Sequence, residues 1–295
     1  MLSIVIPTYN FDVFPLVKEV NEQATRRDIE FEIIVLDDCS TTPKSTNESI
    51  NSLANSSYEV LPKNVGRSAI RNLLTTKASF DWLLFLDADV FPKEKNFISS
   101  YMDALPVIPG IVYGGILYQE SKPEKHEILR WKYGMKRESL NVNDRNKDKY
   151  LRFLTLNFLI HKDVFDKVSF NEDIPNMRHE DTLFALELKK QKINLSHINN
   201  PVYHLGLESN EVFLDKSMQS VKALHFFMEQ GLINANDTLL TRFFVHVTQL
   251  RIHGLLAYVY RKFKTTFEKH LISANPNLMI FDFYRLCYIC NLEKN

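Results

Sequence analysis

The segment Trp82–Val90, with the sequence WLLFLDADV, joins an apolar run to two aspartates. The run predicts a buried strand, and because a strand alternates its faces, Asp87 and Asp89 point to the same side where the strand ends. Two carboxylates so placed present hard oxygen ligands to one divalent cation. The pattern therefore predicts a site for a metal-bound diphosphate. The alternative is a structural role, since acidic residues favour the turns that end strands.

The composition is that of a soluble globular protein, with 295 residues, 45% hydrophobic and 24% charged. This length allows one large α/β domain with a helical extension. The formal net charge is +0, so the broad basic surface of a nucleic-acid binder is missing from the sequence. We therefore expect no nucleic-acid partner.

Cysteine usage and the amino-terminal sequence indicate a cytoplasmic protein. Residues 2–6 form an apolar strand pattern without the cationic leader of a signal peptide, and no segment reaches the length of a membrane-spanning helix. The three cysteines, Cys39, Cys287 and Cys290, cannot form a disulfide framework. Cys287 and Cys290 lack the second pair of ligands that a zinc site needs, so we expect ordinary core thiols.

Strand and helix patterns alternate through the first third of the chain. Strand patterns cover residues 2–6, 31–36, 58–61 and 82–86, and helical patterns cover 11–27, 44–54 and 66–77. Strands separated by helical crossovers predict an α/β fold with a Rossmann-like, mainly parallel sheet flanked by helices. Ligands of such sheets bind at the carboxyl ends of the strands.

Polar residues follow every predicted strand at that edge: Pro7-Thr8-Tyr9-Asn10, Asp37-Asp38-Cys39-Ser40, Asn64-Val65-Gly66-Arg67 with Arg71-Asn72, and Asp87-Ala88-Asp89. Thr8 and Tyr9 fit contacts to a nucleobase or, equally, a polar turn. A carboxylate at Asp37 or Asp38 fits acceptance of the N3 proton of uracil. The alternative is capping by Asp38 and Ser40.

Gly66 predicts a backbone conformation that other residues resist, at the start of a helix. Arg67 and Arg71 lie four residues apart on that helix, so both can face one anion or base. The alternative is two solvated surface arginines.

These four motifs, in this order and spacing, resemble the nucleotide-binding half of family 2 glycosyltransferases with the A-type (GT-A) fold. The resemblance covers about the first 120 residues strongly. It continues more faintly through Asn157-Phe158-Leu159-Ile160, a short helix pattern at 163–168, and His179-Glu180-Asp181. It implies a GT-A catalytic domain over residues 1–205, with a nucleotide-binding half (1–117) and an acceptor-binding half (118–205). A helical region, 206–295, follows.

The resemblance implies an inverting, metal-dependent transfer of a sugar from a nucleotide-diphosphate donor, expected to be a UDP-sugar. The acceptor would be a hydroxyl of a glycan or lipid-linked molecule in polysaccharide biosynthesis. The implied nucleotide-binding residues are Pro7, Thr8, Tyr9, Asp37, Asp38, Asn64, Gly66, Arg67, Arg71, Asp87 and Ala88. The implied ligands of Mn²⁺ or Mg²⁺ are Asp87, Asp89 and His204, with Asp87 on the metal or on the ribose and with His197 as a competitor for the histidine position.

Asp181 is the implied catalytic base, and its helical spacing supports an inward position. Asp181, Phe184 and Leu188 fall three and four residues apart, so the carboxylate shares a face with apolar side chains. The alternative is that Glu180 and Asp181 complement the positive end of a helix. Glu180, His179 and Trp131 are predicted acceptor contacts, and His179 is equally suited to a cap.

One departure from the family pattern is Cys39, which stands where a glycine often follows the paired acids. Two other function classes stay open: a nucleotidyltransferase of related fold, and a catalytically silent protein that binds nucleotide-sugars. The first typically relies on a glycine-rich and basic first loop, which Pro7-Thr8-Tyr9-Asn10 does not provide.

The second half of the chain predicts a long loop and then helices. Residues 118–151 are charged and interrupted, which is typical of a binding loop. Its Trp131 and Tyr133 suit stacking on sugar rings or buried anchoring of the loop. Helical patterns cover 210–230, 239–264 and 279–290.

The predicted helical region carries a concentration of positive charge. Between Arg242 and His270, six Lys or Arg residues stand against one Glu. This predicts peripheral association with the inner face of the cell membrane or, alternatively, a packed helix with a solvated basic face.

Overall fold

The computed structural model describes residues 1–174 and 178–293. Within them the chain forms two compact units. The first comprises residues 1–118, 139–174 and 180–206, and the second comprises 119–138, 178–179 and 207–293. The last two residues of the predicted helical region lie outside the described residues.

The described strands are β1 (Leu2–Thr8), β2 (Phe31–Asp37), β3 (Ser56–Val60), β4 (Trp82–Leu86), β5 (Val90–Pro92), β6 (Ile111–Tyr113), β7 (Ile116–Leu117), β8 (Asn157–His161), β9 (Leu195–His197) and β10 (Val202–His204). Seven of them form one sheet in the order β3-β2-β1-β4-β8-β6-β9. Strand β8 runs antiparallel to both its neighbours, and the other pairings are parallel. The predicted mainly parallel α/β sheet is thus confirmed.

The described helices are α1 (Phe14–Arg27), α2 (Arg67–Lys77), α3 (Phe97–Asp103), α4 (Ile128–Tyr133), α5 (Val142–Asn146), α6 (Lys162–Val168), α7 (Glu180–Lys190), α8 (Asn210–Glu229), α9 (Leu239–Gln249), α10 (His253–Leu271) and α11 (Leu278–Leu292). A 3₁₀ helix covers Ser45–Ser52, where the sequence predicts an α-helix. Its serines and asparagines compete with the backbone for hydrogen bonds, which disfavours a regular α-helix.

The central strands of the large sheet, β1, β4 and β8, are buried on both faces because helices cover both. Along β4, Leu84 and Leu86 belong to one apolar cluster, while Leu83 and Phe85 belong to the other. Phe85 stacks on Phe158 of β8 with ring centroids 4.8 Å apart. This explains why β4 reads as an unbroken apolar run rather than as an alternating strand.

A second, three-stranded sheet has the order β5-β10-β7. Strand β10 pairs antiparallel with β5, and this register places His204 opposite Val90. The backbone N–H of Leu205 donates to the carbonyl of Asp89 at 2.8 Å. Main-chain pairing therefore brings the end of β10 beside the aspartate that follows β4.

Two buried polar side chains hold the chain where it crosses between the sheets. The Asn157 amide donates to the carbonyls of Gly115 and Asn200 at 2.9 and 3.1 Å. The Arg145 guanidinium donates to the carbonyl of Ile198 at 2.8 Å. A side chain at Gly114 would clash, because its Cβ would lie 2.3 Å from the carbonyl oxygen of Asn200. This clamp fixes the path into β7 and β10.

The second unit is helical and has its own apolar core, built from α4 and α8–α11. The sequence predicts one helix over residues 239–264, and this prediction is wrong, because α9 ends at Gln249 and α10 begins at His253. Arg251 adopts a left-handed conformation with φ +59°. The N–H groups of Arg251 and Ile252 donate back to the carbonyls of Thr248 and Val247, which closes α9 with a Schellman motif.

The predicted loop at 118–151 contains α4, a π-helical turn at Gly134–Glu138 and α5. Tyr133 packs against Phe213 and Phe281, with ring centroids 5.4 and 5.7 Å apart, so the anchoring alternative is the observed one for this ring. Trp131 donates its indole N–H to the carbonyl of Gln119 at 2.8 Å. Among the helices of residues 1–174 and 178–293, none is long and apolar enough to cross a membrane.

We predict that Asn157→Leu lowers the free energy of unfolding by about 3 kcal/mol, because it leaves two buried carbonyls without donors. It also removes one of the two acceptors of the Tyr101 hydroxyl, Asn157 Oδ1 at 2.7 Å, and leaves the Asn157 carbonyl at 3.1 Å. Urea denaturation measures the loss. The matched control is Asn143→Leu on an exposed position of α5, which should change stability by less than about 0.5 kcal/mol. Equal losses of unfolding free energy in the two variants would show that the Asn157 hydrogen bonds do not stabilise the fold.

Candidate active site

The two aspartates of the opening motif lie at the carboxyl edge of the large sheet but have different partners. Asp87 follows β4, and its Oδ1 accepts a hydrogen bond from Arg71 Nη2 at 2.8 Å. Asp89 instead lies beside His204, with 3.4 Å between Asp89 Oδ2 and His204 Nε2. The Asp87 carboxylate is thus committed to an arginine, while that of Asp89 faces an imidazole.

Arg71 reaches this edge because α2 begins at Gly66, whose φ of +88° is in the region that favours glycine, as the sequence predicts. The Arg71 side chain is only 7% exposed, so it is not a solvated surface arginine. Its Nη1 lies 3.5 Å from Glu180 Oε1, and Arg67 Nη1 lies 3.7 Å from the same oxygen. Arg67 and Arg71 were predicted to face one anion. In this structure that anion is the Glu180 carboxylate.

An aromatic ring completes the surroundings of Arg71. Phe170 lies under the guanidinium, 5.3 Å from its centre to the ring centroid. Asn72 holds Phe170 in place, since its amide donates to the Phe170 carbonyl at 2.8 Å and accepts from the Phe170 N–H at 3.0 Å. Sequence reasoning missed Phe170. The one signal for it in the sequence is Asn72, next to Arg71. The partner of Asn72 lies 98 residues further along the chain, so local spacing does not reveal Phe170.

Electrostatics at Arg71 join the two carboxylate pairs. Burial opposes the charged guanidinium, but Asp87 and Glu180 outweigh it and raise the pKa of Arg71. Burial, together with the neighbouring Asp89 and Glu180, raises the pKa of Asp87 although Arg71 opposes the shift. The guanidinium is therefore firmly charged in a region where carboxylates are crowded.

Asp181 begins α7 together with Glu180, and Phe184 and Leu188 of the same helix are buried, as their spacing predicts. The Thr182 N–H donates to Asp181 Oδ1 at 2.7 Å. Burial and the adjacent Glu180 raise the pKa of Asp181 to about 6. The carboxylate thus both caps the helix start and keeps the basicity suited to proton transfer near neutral pH.

The Asp89–His204 pair fits a divalent cation. Carboxylate and imidazole are donors that Mn²⁺ accepts, and diphosphate oxygens and waters commonly complete such sites. The space beside the pair is tight, because a Cβ at Gly206 would lie 3.0 Å from Asp89 Oδ2 and would push that carboxylate aside. The Tyr118 ring stacks on the His204 ring at 5.5 Å and fixes its plane.

The predicted three-ligand set is not assembled. Within residues 1–174 and 178–293, no group of three or more His, Cys, Asp or Glu side chains is arranged to hold a metal ion. Asp89 and His204 are adjacent, whereas Asp87, predicted on the metal or on the ribose, pairs with Arg71. The geometry leaves Asp87 to the arginine.

The paired acids after β2 build the loop rather than present free oxygens. Asp37 accepts from the Ser40 N–H at 2.7 Å and from the Tyr58 hydroxyl at 2.8 Å. Asp38 accepts from the N–H groups of Val65 and Gly66 at 2.7 and 3.0 Å. Both side chains are buried, so the capping alternative describes their observed contacts.

The remaining predicted nucleotide contacts differ in accessibility. Thr8 is buried, whereas the ring of Tyr9 is 47% exposed and free to stack. Pro7 and Ala88 are half-buried, and the Asn64 amide donates to the Asp38 carbonyl at 2.9 Å. Cys39 has φ +59°, a left-handed conformation that explains why glycine suits this position.

Several other predicted residues have a clear position. His197 packs in the core, where it bonds the Lys149 carbonyl at 2.9 Å, and burial lowers its pKa to about 4, so the competing histidine does not reach the site. Burial raises the pKa of Cys287 to about 12 and that of Cys290 to about 11, as inert core thiols require. In the second unit, His179 Nε2 lies 2.5 Å from Ser220 Oγ.

A sequence profile described as "Glycosyl transferase family 2" matches residues 3–169, more than half of the chain. The chain belongs to this family. The matched segment includes β1, α2, β4 and β8, so it covers Arg71, Asp87 and Asp89. Family membership confirms the predicted glycosyltransferase and its fold, and it argues against the nucleotidyltransferase alternative.

Relatives of this glycosyltransferase are distant. An "Uncharacterized glycosyltransferase" of Haemophilus influenzae is 25% identical over 248 residues, covering 77% of this chain and 94% of that protein. The mannosyltransferase PcManGT from Pyrobaculum calidifontis, solved with GDP-Man and Mn²⁺, has a TM-score of 0.59 at 13% identity, covering 100% of this chain and 86% of that one. S. aureus TarS 1-349, solved with UDP, has a TM-score of 0.47 at 19% identity; 75% of this chain matches it, and that match spans 64% of its length, less than two thirds.

We predict that Arg71→Met lowers the free energy of unfolding by about 3 kcal/mol or more, because it leaves buried carboxylates without their cation. Chemical denaturation at pH 7.5 tests this. The control is Arg27→Met, which removes an exposed ion pair with Asp103 and should cost at most about 1 kcal/mol. A similar small loss for both variants would show that Arg71 does not balance the site.

A second prediction concerns pH. The pKa of Asp181 rises from 3.8 to about 6 on folding, so the stability gained from its protonated form is full below pH about 4 and is lost as the pH rises through about 6. Asp181→Asn stays neutral and should be about 2 kcal/mol more stable than the unmodified protein at pH 7.5, with no difference at pH about 4. Urea denaturation at both pH values measures this. Asp166→Asn on an exposed position of α6 should show no such pH-dependent gain.

Proposed function

We propose that this glycosyltransferase moves a sugar from a UDP-sugar to an acceptor hydroxyl, with inversion at the anomeric carbon, in the assembly of a polysaccharide or related glycan. The observation that carries the proposal is the Asp89–His204 pair at the sheet edge that also bears Asp87, Arg71 and Asp181. It combines a place for a cation and diphosphate with a basic carboxylate.

The donor diphosphate is the group that Asp89 and His204 serve. Asp89 and His204 would hold a divalent cation, and the cation would supply positive charge against the charge growing on the departing diphosphate. Imidazole with carboxylate favours Mn²⁺ over Mg²⁺. Arg67, whose side chain is half exposed, adds a positive charge at the same edge. The exposed ring of Tyr9 offers a stacking face to the base.

The acceptor hydroxyl is activated by Asp181. With a pKa of about 6, its carboxylate is mostly ionised at pH 7.5 yet basic enough to take a proton from the attacking oxygen. Arg71 contacts the Asp87 and Glu180 carboxylates and holds them in position. Attack from the face opposite the leaving diphosphate inverts the anomeric carbon. Glu180, next to Asp181 at the start of α7, is a proposed acceptor contact of the first unit; Trp131 and His179 belong to the second unit.

The base of the donor is decided by a thermal-shift screen of UDP, GDP, CDP and dTDP, each with and without MnCl₂. A ligand at about 100 times its Kd stabilises the native state by about 2.7 kcal/mol. We expect the thermal midpoint to rise only when UDP and Mn²⁺ are both present. Asp89→Asn and His204→Ala should lose the metal-dependent part, and His246→Ala at an exposed position of α9 should keep it.

Transfer is then tested with Asp181→Asn in a UDP-release assay on a panel of glycan acceptors. The variant should keep the UDP–Mn²⁺ shift but lose transfer at least about a hundredfold, as for a missing general base. Rates of the unmodified enzyme should rise with pH through about 6, as the Asp181 carboxylate forms. Retained transfer in Asp181→Asn would overturn its role as base. A metal-dependent shift without turnover in the unmodified protein would assign the chain to the silent binding class.

A further inference from the structure

Helices α9 and α10 present a set of large apolar side chains to solvent. Their exposed fractions range from 42% to 62%, which is unusual for residues of this size. The set consists of Leu239, Phe243, Leu250, Ile252, Leu255, Tyr258 and Phe263. We call this set, together with the exposed Arg242, Arg251, Lys262 and Lys269, the apolar–basic face.

Helical spacing aligns these side chains into rows. On α9, Leu239, Phe243 and Leu250 are separated by four and seven residues, so they lie on one side of the helix. On α10, Leu255 and Tyr258 are three residues apart. Each helix therefore shows an apolar stripe to solvent in addition to the one that it buries.

The buried stripes of the same helices already have partners. Phe244 and Val247 of α9 belong to the core of the second unit, as does Tyr260 of α10. The Tyr260 ring lies 5.5 Å from that of Tyr284 and 5.1 Å from that of Tyr288 on α11. The exposed stripes are thus not needed for folding of the second unit.

The turn between α9 and α10 adds an apolar corner. The left-handed Arg251 ends α9 sharply and places Leu250 and Ile252 on either side of an exposed cation. Leu255 follows within the first turn of α10 and is 62% exposed. Apolar side chains grouped around an arginine at a tight turn suit shallow insertion into a lipid headgroup layer.

Charge on this face has one sign. Between residues 239 and 271 there are six Lys or Arg residues and a single acid, Glu268. Glu268 accepts a hydrogen bond from the Tyr284 hydroxyl at 2.8 Å and lies 3.8 Å from Lys264. The Lys262 ammonium lies over the rings of Tyr258 and Phe263, 5.7 and 5.5 Å from their centroids. Aromatic rings beside lysine are typical of side chains at a membrane interface.

We propose that the apolar–basic face docks on an anionic phospholipid bilayer. Its apolar side chains enter the headgroup boundary, and its arginines and lysines contact lipid phosphates. A second copy of this chain is a poor occupant, because it would bring one strongly positive face against another. The proposal is independent of the sugar donor and of transfer.

Co-sedimentation of the full chain with lipid vesicles tests this without donor or acceptor, so its outcome is separate from that of the transfer assay. We expect binding to phosphatidylcholine vesicles that contain about 40% phosphatidylglycerol, and at least about tenfold weaker binding to pure phosphatidylcholine. About 0.5 M NaCl should weaken binding to the anionic vesicles by screening the charges. Equal binding to both vesicle types, or to neither, would overturn the proposal.

Paired variants separate the two contributions. Leu250→Ser/Leu255→Ser removes apolar contacts, and Lys262→Glu/Lys269→Glu reverses charge; each should weaken binding about tenfold. The matched controls lie in the first unit. Val107→Ser/Ile108→Ser changes two exposed apolar residues, and Lys18→Glu/Lys44→Glu reverses two exposed lysines, both without effect on binding. Since all these positions are exposed, unchanged thermal midpoints are expected and verify folding.

A competing occupant has its own signature. If sedimentation velocity shows dimers that Leu250→Ser/Leu255→Ser abolishes, and vesicles are not bound, the face pairs two copies and the lipid proposal is wrong. Equal loss of vesicle binding in the first-unit controls would likewise contradict it.

Discussion

The buried guanidinium of Arg71 offsets the negative charge at the carboxyl edge of the large sheet. Asp87, Asp89, Glu180 and Asp181 bring four carboxylates to this edge, and like charges at such distances in a partly dehydrated region repel strongly. Arg71 contacts Asp87 and Glu180, so one cation links the end of β4 to the start of α7. Its own position depends on the Phe170 ring beneath it. Without this charge the edge would be electrostatically unfavourable.

Asn157 and Arg145, which are polar but buried, stabilise the scaffold of the first unit. Their donors satisfy main-chain carbonyls where the chain leaves one sheet for the other, at Gly115, Ile198 and Asn200. Buried carbonyls without donors would be costly there. Scaffold and sheet edge are thus held by different interactions: hydrogen bonds to the backbone position the strands, and ion pairs position the charged side chains at the edge.

The sequence predicts the parallel sheet, the glycine at the start of α2 and the inward face of α7, because each can be recognised from residues that are close together in the chain. It does not predict the partners of Asp37 and Asp87, because their contacts come from residues distant in sequence or on another element. The break between α9 and α10 carries neither glycine nor proline at the left-handed position, which Arg251 occupies. Local propensity therefore indicates a continuous helix there, and the tertiary packing of α10 on α11 decides otherwise.

The pairing of β5 with β10 has an evolutionary consequence. The separation between positions 89 and 204 is set by the peptide backbone, through the His204–Val90 register and the Leu205 to Asp89 hydrogen bond. Substitution at either position changes the side chains that meet there while the backbone framework stays the same. Descendants of this fold are therefore free to vary the chemistry of this pair of positions without refolding.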